Sequence, residues 1–177
     1  MDCIDRSDNE WQYINDTGNN SRFLLGQILN QSQKVFLWFG INPSTATPNN
    51  LDATLKRVKA MSKYNNNDQD ANWLMANVYP QRSTNPNYMH QNKNEQLHKD
   101  NLTVIENVMR KYKNITVVLA YGNLINKRKY LNECLNDIKE IIRRYNPEVK
   151  VLSITAKRNP HHPIGEKNKT KFIDYKI

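Results

Sequence analysis

The sequence predicts an α/β fold: a three-layer α/β/α sandwich around a short, four-stranded, mainly parallel sheet, with a β-hairpin on its N-terminal side. Three observations carry this reading. Val35–Phe39, Trp73–Ala76, Ile115–Ala120 and Val149–Ile154 are short runs rich in apolar, aromatic or β-branched residues, the pattern of strands buried on both faces. The intervening stretches 51–64, 97–112 and 130–145 repeat apolar residues at helical spacing. Strand and helix therefore alternate, which implies right-handed crossovers and helices on both faces of a parallel sheet.

The chain fits one domain, 1–177, in which 1–30 form a leader and hairpin packed on the rest. Residues 1–9 read as a loose polar leader. Trp11–Ile14 and Arg22–Leu29 flank N-D-T-G-N-N-S, which is turn chemistry, so they predict a hairpin or flap beside the main sheet. After the first core strand, Leu51, Leu55, Val58 and Met61 mark a helical face, with Asn50 as its expected N-cap. The second strand ends at Asn77, and V-Y-P-Q-R-S-T-N-P follows as an irregular surface loop. Leu97, Leu102, Ile105, Val108, Met109 and Tyr112 share a face of the second helix, and Asp100-Asn101 reads as its cap. The third helix runs through Leu131, Cys134, Leu135, Ile138, Ile141, Ile142 and Tyr145, and Pro147 closes it.

Composition narrows the function classes. No apolar run approaches the roughly 20 residues that span a bilayer, and the acidic, polar start M-D-C-I-D-R-S-D is not that of a signal peptide. The two cysteines, Cys3 and Cys134, and the four histidines are too few and too dispersed for a zinc or iron–sulfur site. No metal or other cofactor is expected, and a reducing cytoplasm is the natural compartment. A net charge of +9 favours a polyanionic partner, nucleic acid first.

In a parallel sheet the strand ends share one edge, where ligands bind in open α/β folds. Here those ends lead into Gly40-Ile41-Asn42-Pro43-Ser44, Asn77, Tyr121-Gly122 and His161-His162-Pro163. Polar groups distant in sequence thus converge on one mouth. Taken singly, the first loop reads as an ordinary strand-to-helix turn, Asn77 as a strand-end cap, Tyr121 as a core aromatic and the histidine pair as surface residues.

Together, G-I-N-P-S-T-A, A-N-V-Y-P-Q-R-S-T-N-P, A-Y-G-N and P-H-H-P resemble the family called domain of unknown function 1643, from about Arg22 to Gly165. That family in turn resembles the uracil-DNA glycosylase superfamily, whose three-layer α/β/α sandwich agrees with the fold read above. The resemblance implies that a nucleotide is extruded from DNA into the pocket. Asn77 would pair with uracil O4 and N3–H. His162 would stabilise the negative charge of the departing base, and Asn42 would position water. Gly40, Ile41, Pro43, Ser44, Tyr121, Gly122 and Pro163 would complete the base pocket.

Three departures from the superfamily pattern bear on activity. Asn42 stands where the most active enzymes carry Asp, and Asn orients water but takes no proton at neutral pH. Ser44 and Thr45 replace the tyrosine that blocks a 5-methyl group, which opens room for 5-modified pyrimidines. The loop H-P-I-G-E replaces H-P-S-P-L, which leaves Ile164 as the wedge, removes a phosphate-pinching serine and sets Glu166 towards the phosphates.

Ser44, Lys127, Arg128, Lys157, Arg158, Lys167 and Lys169 are the expected DNA-backbone contacts, which position a duplex without reading its sequence. The favoured reading is a vestigial or weakly active uracil-DNA glycosylase-like protein. It would bind single- or double-stranded DNA, a modified base, or an acidic inhibitor protein that imitates DNA. The alternative readings are an active monofunctional glycosylase for uracil or a 5-modified pyrimidine, and a nucleotide-handling enzyme outside repair.

Overall fold

The computed structural model describes residues 11–177; the leader 1–9 and Cys3 lie outside the described residues. The chain runs β1 (Trp11–Asn15), β2 (Arg22–Gln27), β3 (Val35–Gly40), α1 (Ala53–Asn65), β4 (Asn72–Asn77), α2 (Glu95–Lys111), β5 (Ile115–Leu119), α3 (Lys129–Tyr145), β6 (Glu148–Val151) and β7 (Ile173–Asp174). The strands form a single mixed sheet in the order β1-β2-β4-β3-β5-β6-β7. The α/β class is as expected, but the sheet has seven strands rather than four. Its parallel centre is β4-β3-β5-β6. The N-terminal hairpin β1–β2 is present, and it belongs to the sheet itself: β2 pairs antiparallel with β4 and extends it. At the other edge β7, two residues from the C-terminal tail, pairs antiparallel with β6.

β3 lies at the middle, and its continuous apolar run follows from burial on both faces. Val35, Leu37 and Phe39 point into the cluster that α2 and α3 cover. Phe36 and Trp38 point into the cluster that α1 covers. Each such side chain contributes roughly 1.5–3 kcal/mol by leaving water. Among the described residues α1 is the one helix on its face, and the C-terminal tail adds cover there. Phe172 packs edge-on against Phe36 and Trp38, and Asn65 of α1 pins the tail by donating to Thr170 O and accepting from Phe172 N, both at 2.9 Å. Trp38 Nε1 donates to Ser62 Oγ on α1 at 3.0 Å, so the polar end of the indole is satisfied inside the core.

Helix starts differ locally from the sequence reading. Asp52, not Asn50, caps α1 by accepting from Leu55 N at 2.9 Å. Asn94 caps α2 by accepting from Leu97 N, six residues before Asp100. Asn101 is instead buried within the helix, where its Nδ2 donates to the Asn77 carbonyl at 2.9 Å. β6 ends at Val151; Ile154 forms only an isolated bridge to Pro160. No helix among the described residues is long and apolar enough to cross a membrane.

Candidate functional site

The carboxyl ends of the parallel strands open onto a cavity of about 150 Å³ on the α1 side of the sheet. Its lining joins Gly40, Ile41, Asn42 and Ser44 after β3, Asn77 at the end of β4, and His162. These were expected from the sequence. Met75 and Leu55 supply apolar surface, and Arg22, Asp52, Ser83, Thr84 and Leu124 complete much of the wall. The volume is below the ~300 Å³ or more of a drug-sized site and suits a single small ring. Two larger hollows, about 240 and 300 Å³, lie at the opposite edge of the sheet. Neither is lined by a buried polar side chain without a partner.

Asn77 is the distinctive residue of the cavity. It is 1 % exposed, and neither its Nδ2 nor its Oδ1 has a hydrogen-bond partner among the described residues. A buried polar group left unpaired costs about 1–3 kcal/mol. Its backbone is held by Asn101 from α2 and by pairing with β3, where Gly40 stands opposite. A Cβ at Gly40 would lie 2.5 Å from Met75 Cε and 3.1 Å from Asn77 Oδ1. Glycine there keeps the approach to the amide open.

The loop after β3 is stitched to the loop after β4. Val78 N donates to Gly40 O, Tyr79 N to Ile41 O and Ser83 N to Pro43 O, all within 2.9 Å. Asn42 Nδ2 donates to Ser83 O at 2.8 Å and to Pro43 O at 3.1 Å. Two carbonyl acceptors fix which end of the amide is nitrogen, so Oδ1 is left as the free acceptor. Arg82 reinforces this wall by donating to Ser44 O and, at 2.7 Å, to Tyr13 OH.

His162 precedes Pro163, which begins a short 3-10 turn. Its Nδ1 accepts from Ile164 N at 3.3 Å. The neutral ring therefore carries its proton on Nε2. Burial is the main force holding the imidazole below its ordinary pKa, and His161 adds to it against the raising effect of Asp52. Gly122, at φ 65°, backs this residue; a Cβ there would stand 3.1 Å from His162 Cβ. Gly122 thus supports the histidine without lining the cavity. Pro43, Pro163 and Tyr121 are buried beside the site rather than in its wall. Tyr121 belongs to the core on the α2–α3 side, and desolvation raises its phenol pKa.

Glu166 does not face outward. Its carboxylate accepts from Ser153 Oγ and lies 3.3 Å from His161 Nδ1, while its carbonyl accepts from Arg57. Arg128 is likewise occupied: it donates to the carbonyls of Asn87, Met89, His90 and Lys127. Lys127, Lys157, Arg158, Lys167 and Lys169 are exposed in the loops around Leu124 and His162. They make no ion pair among the described residues. Leu124 and Ile164 stand exposed between them, at 41 % and 46 %. Among the described residues no three His, Cys, Asp or Glu side chains gather to hold a metal ion.

Arg22, Asp52, Ser83 and Thr84 line the cavity without a motif in the sequence that marks them. Arg22 opens an apolar run, and a buried arginine there was the available signal. Asp52 was recognisable only once α1 was placed. Ser83 and Thr84 lay in a loop read as surface.

The fold and site define an α/β protein with a mixed sheet and a polar cavity at its parallel strand ends. The chain matches the family model described as protein of unknown function (DUF1643) over residues 22–164, and it belongs to that family. No curated protein and no solved structure matches it.

Proposed function

We propose that this chain is a uracil-DNA glycosylase-like protein that binds a pyrimidine base of DNA in the cavity and cleaves it slowly or not at all. The unpaired amide of Asn77 carries the proposal. Nδ2–H and Oδ1, buried side by side without partners, match the acceptor O4 and donor N3–H of a uracil-type edge. Hydrogen bonds from a bound base would satisfy both ends of this buried amide.

The surrounding groups support the same chemistry. Nε2–H of neutral His162 would donate to the O2 of a base acquiring negative charge, an electrostatic role that needs no proton transfer. Oδ1 of Asn42 would accept a hydrogen bond from water. It would not take the proton, which is why little turnover is proposed. Five cations around the mouth, unpaired among the described residues, favour the phosphate backbone, and Ile164 or Leu124 would fill the space of an extruded base. The same cations would engage an acidic protein that imitates DNA, and such a protein would then compete with DNA.

The test is a panel of single- and double-stranded oligonucleotides bearing uracil, mismatched thymine or 5-modified pyrimidines, scored for both binding and abasic sites. Binding that requires the base and Asn77, with slow or absent cleavage, is expected. Rapid multiple turnover on uracil would instead establish the active-glycosylase reading, which the placement of Asn42 and His162 also accommodates. Absence of base-dependent binding would overturn both.

A further inference from the structure

Arg22 is the one charged side chain of the cavity wall that is almost wholly buried, at 2 % exposure. Such a charge is normally paired. Here no carboxylate lies within ion-pairing distance of it among the described residues. Nη1 donates to Ala46 O at 3.2 Å. Nε is buried without an acceptor, and Nη2 makes no hydrogen bond among the described residues. A guanidinium has five N–H donors, so most of its capacity is unused. Burial and the neighbouring Arg82 lower its pKa to about 10, with Asp52 acting in the opposite sense; it stays charged at neutral pH.

Arg82 cannot answer that charge, and it braces the same loop through the carbonyls of Ser44 and Ala46. Asp52 also lines the cavity, and one of its oxygens caps α1. Arg82 is not part of the lining; Arg22 and Asp52 are its charged side chains. They form no ion pair with each other, and the unused N–H donors of Arg22 are what the wall leaves unanswered. The unpaired Asn77 amide stands in the same cavity.

We propose that the ligand of this cavity is an anion whose negatively charged oxygen is held by Arg22. This rests on the function proposed above and makes it narrower: the preferred pyrimidine carries a negative charge, on a ring carboxylate or a nucleotide phosphate. Arg22 is then a specificity-determining residue that the neutral base edge does not require.

Calorimetric titration of the whole protein with uracil, orotate, its neutral amide, uridine monophosphate, acetate and inorganic phosphate tests this. Orotate or the monophosphate should bind at least about tenfold more tightly than uracil, as a charge-assisted hydrogen bond provides. Orotate alone indicates the ring carboxylate, and the monophosphate alone indicates the phosphate. Arg22→Met should remove that preference, and Arg22→Lys should retain part of it. Should Arg22→Met not fold, orotate against its amide on the unaltered protein decides, because the two differ in charge and little in shape. Equal binding of acid and amide, or uracil as tight as the anions, overturns the inference and leaves the pyrimidine pocket standing. Acetate or phosphate binding through Arg22 without any pyrimidine sustains the anion site and overturns the base reading. If nothing in the panel binds, both fall.

Discussion

Asn72 and Asn77 occupy the two ends of β4; both are buried, and only Asn72 is satisfied. Asn72 Oδ1 accepts from Leu29 N and Asn30 N, and its Nδ2 donates to Asn30 O and Gln33 O. Asn77 has the same amide and the same burial but no partner at either end among the described residues. The first is a structural fastening of the β2–β3 connection. The second has the character of a binding group.

A trade between stability and binding is the consequence. Asn77→Leu removes an unpaired buried amide, so its thermal midpoint should equal or exceed that of the parent protein. Binding to base-bearing oligonucleotides should be lost. Asn72→Leu, by contrast, should destabilise by about 1–3 kcal/mol, because it strands the backbone groups of the 29–33 turn. Calorimetry on both variants separates the two roles, and a large loss of stability in Asn77→Leu would contradict this assignment.

His162 should leave a signature in the pH dependence of stability. Its folded pKa lies below the ordinary 6.5, chiefly through burial. The unfolded chain therefore takes up this proton first as pH falls. The contribution is fully present above 6.5 and is lost as pH falls through the folded value. His162→Gln should flatten that part of the profile in denaturant titrations. His162→Ala should also slow any excision by about 100-fold or more, as loss of a charge-stabilising donor does. A profile and rate both unchanged would remove His162 from the site.

The sequence was legible where burial and chain geometry act alone. β3, β4 and β5 are apolar because both sheet faces are covered, and the three helices carry continuous apolar stripes, so each was found nearly to its ends. The strand-end motifs also met as expected: Asn42, Asn77 and His162 line one cavity. What was not legible depends on partners distant in the chain. The pairing of β2 with β4 is set by the Leu25–Met75 register, which no local pattern carries. β7 is two residues long and exists only because β6 offers it an edge. Arg128 follows β5 in sequence among basic residues, and nothing local says that it turns inward to four carbonyls.

That difference between Arg128 and its neighbours is measurable. Lys167→Ala combined with Lys169→Ala should weaken DNA binding and reduce the slope of log K against log salt by up to about 0.9 per lost phosphate contact on duplex DNA. Stability should be nearly unchanged, because both side chains are exposed and unpaired. Arg128→Ala should do the reverse: it frees the 87–90 carbonyls and costs about 1.5–3 kcal/mol without changing the salt slope. A double-lysine variant with an unaltered slope would move the proposed DNA surface away from this edge.

Asn42 separates a missing catalytic base from a rebuilt site. If the asparagine merely replaced a catalytic aspartate, Asn42→Asp would restore a proton acceptor and raise excision. The local structure argues otherwise. Asn42 Nδ2 donates to Ser83 O at 2.8 Å and to Pro43 O at 3.1 Å, and a carboxylate oxygen there would face two carbonyls with no proton between them. Ser83 is itself fixed, because its N–H donates to Pro43 O. Asn42→Asp should therefore destabilise the protein by about 1–3 kcal/mol near neutral pH. Part of that loss should return in acid, where the protonated carboxyl can donate to one carbonyl. Excision should stay at the parent level. The decisive measurement pairs denaturant stability across pH with abasic-site formation on uracil-bearing strands. A variant as stable as the parent and markedly faster would show that the loops around Asn42 still accept an aspartate.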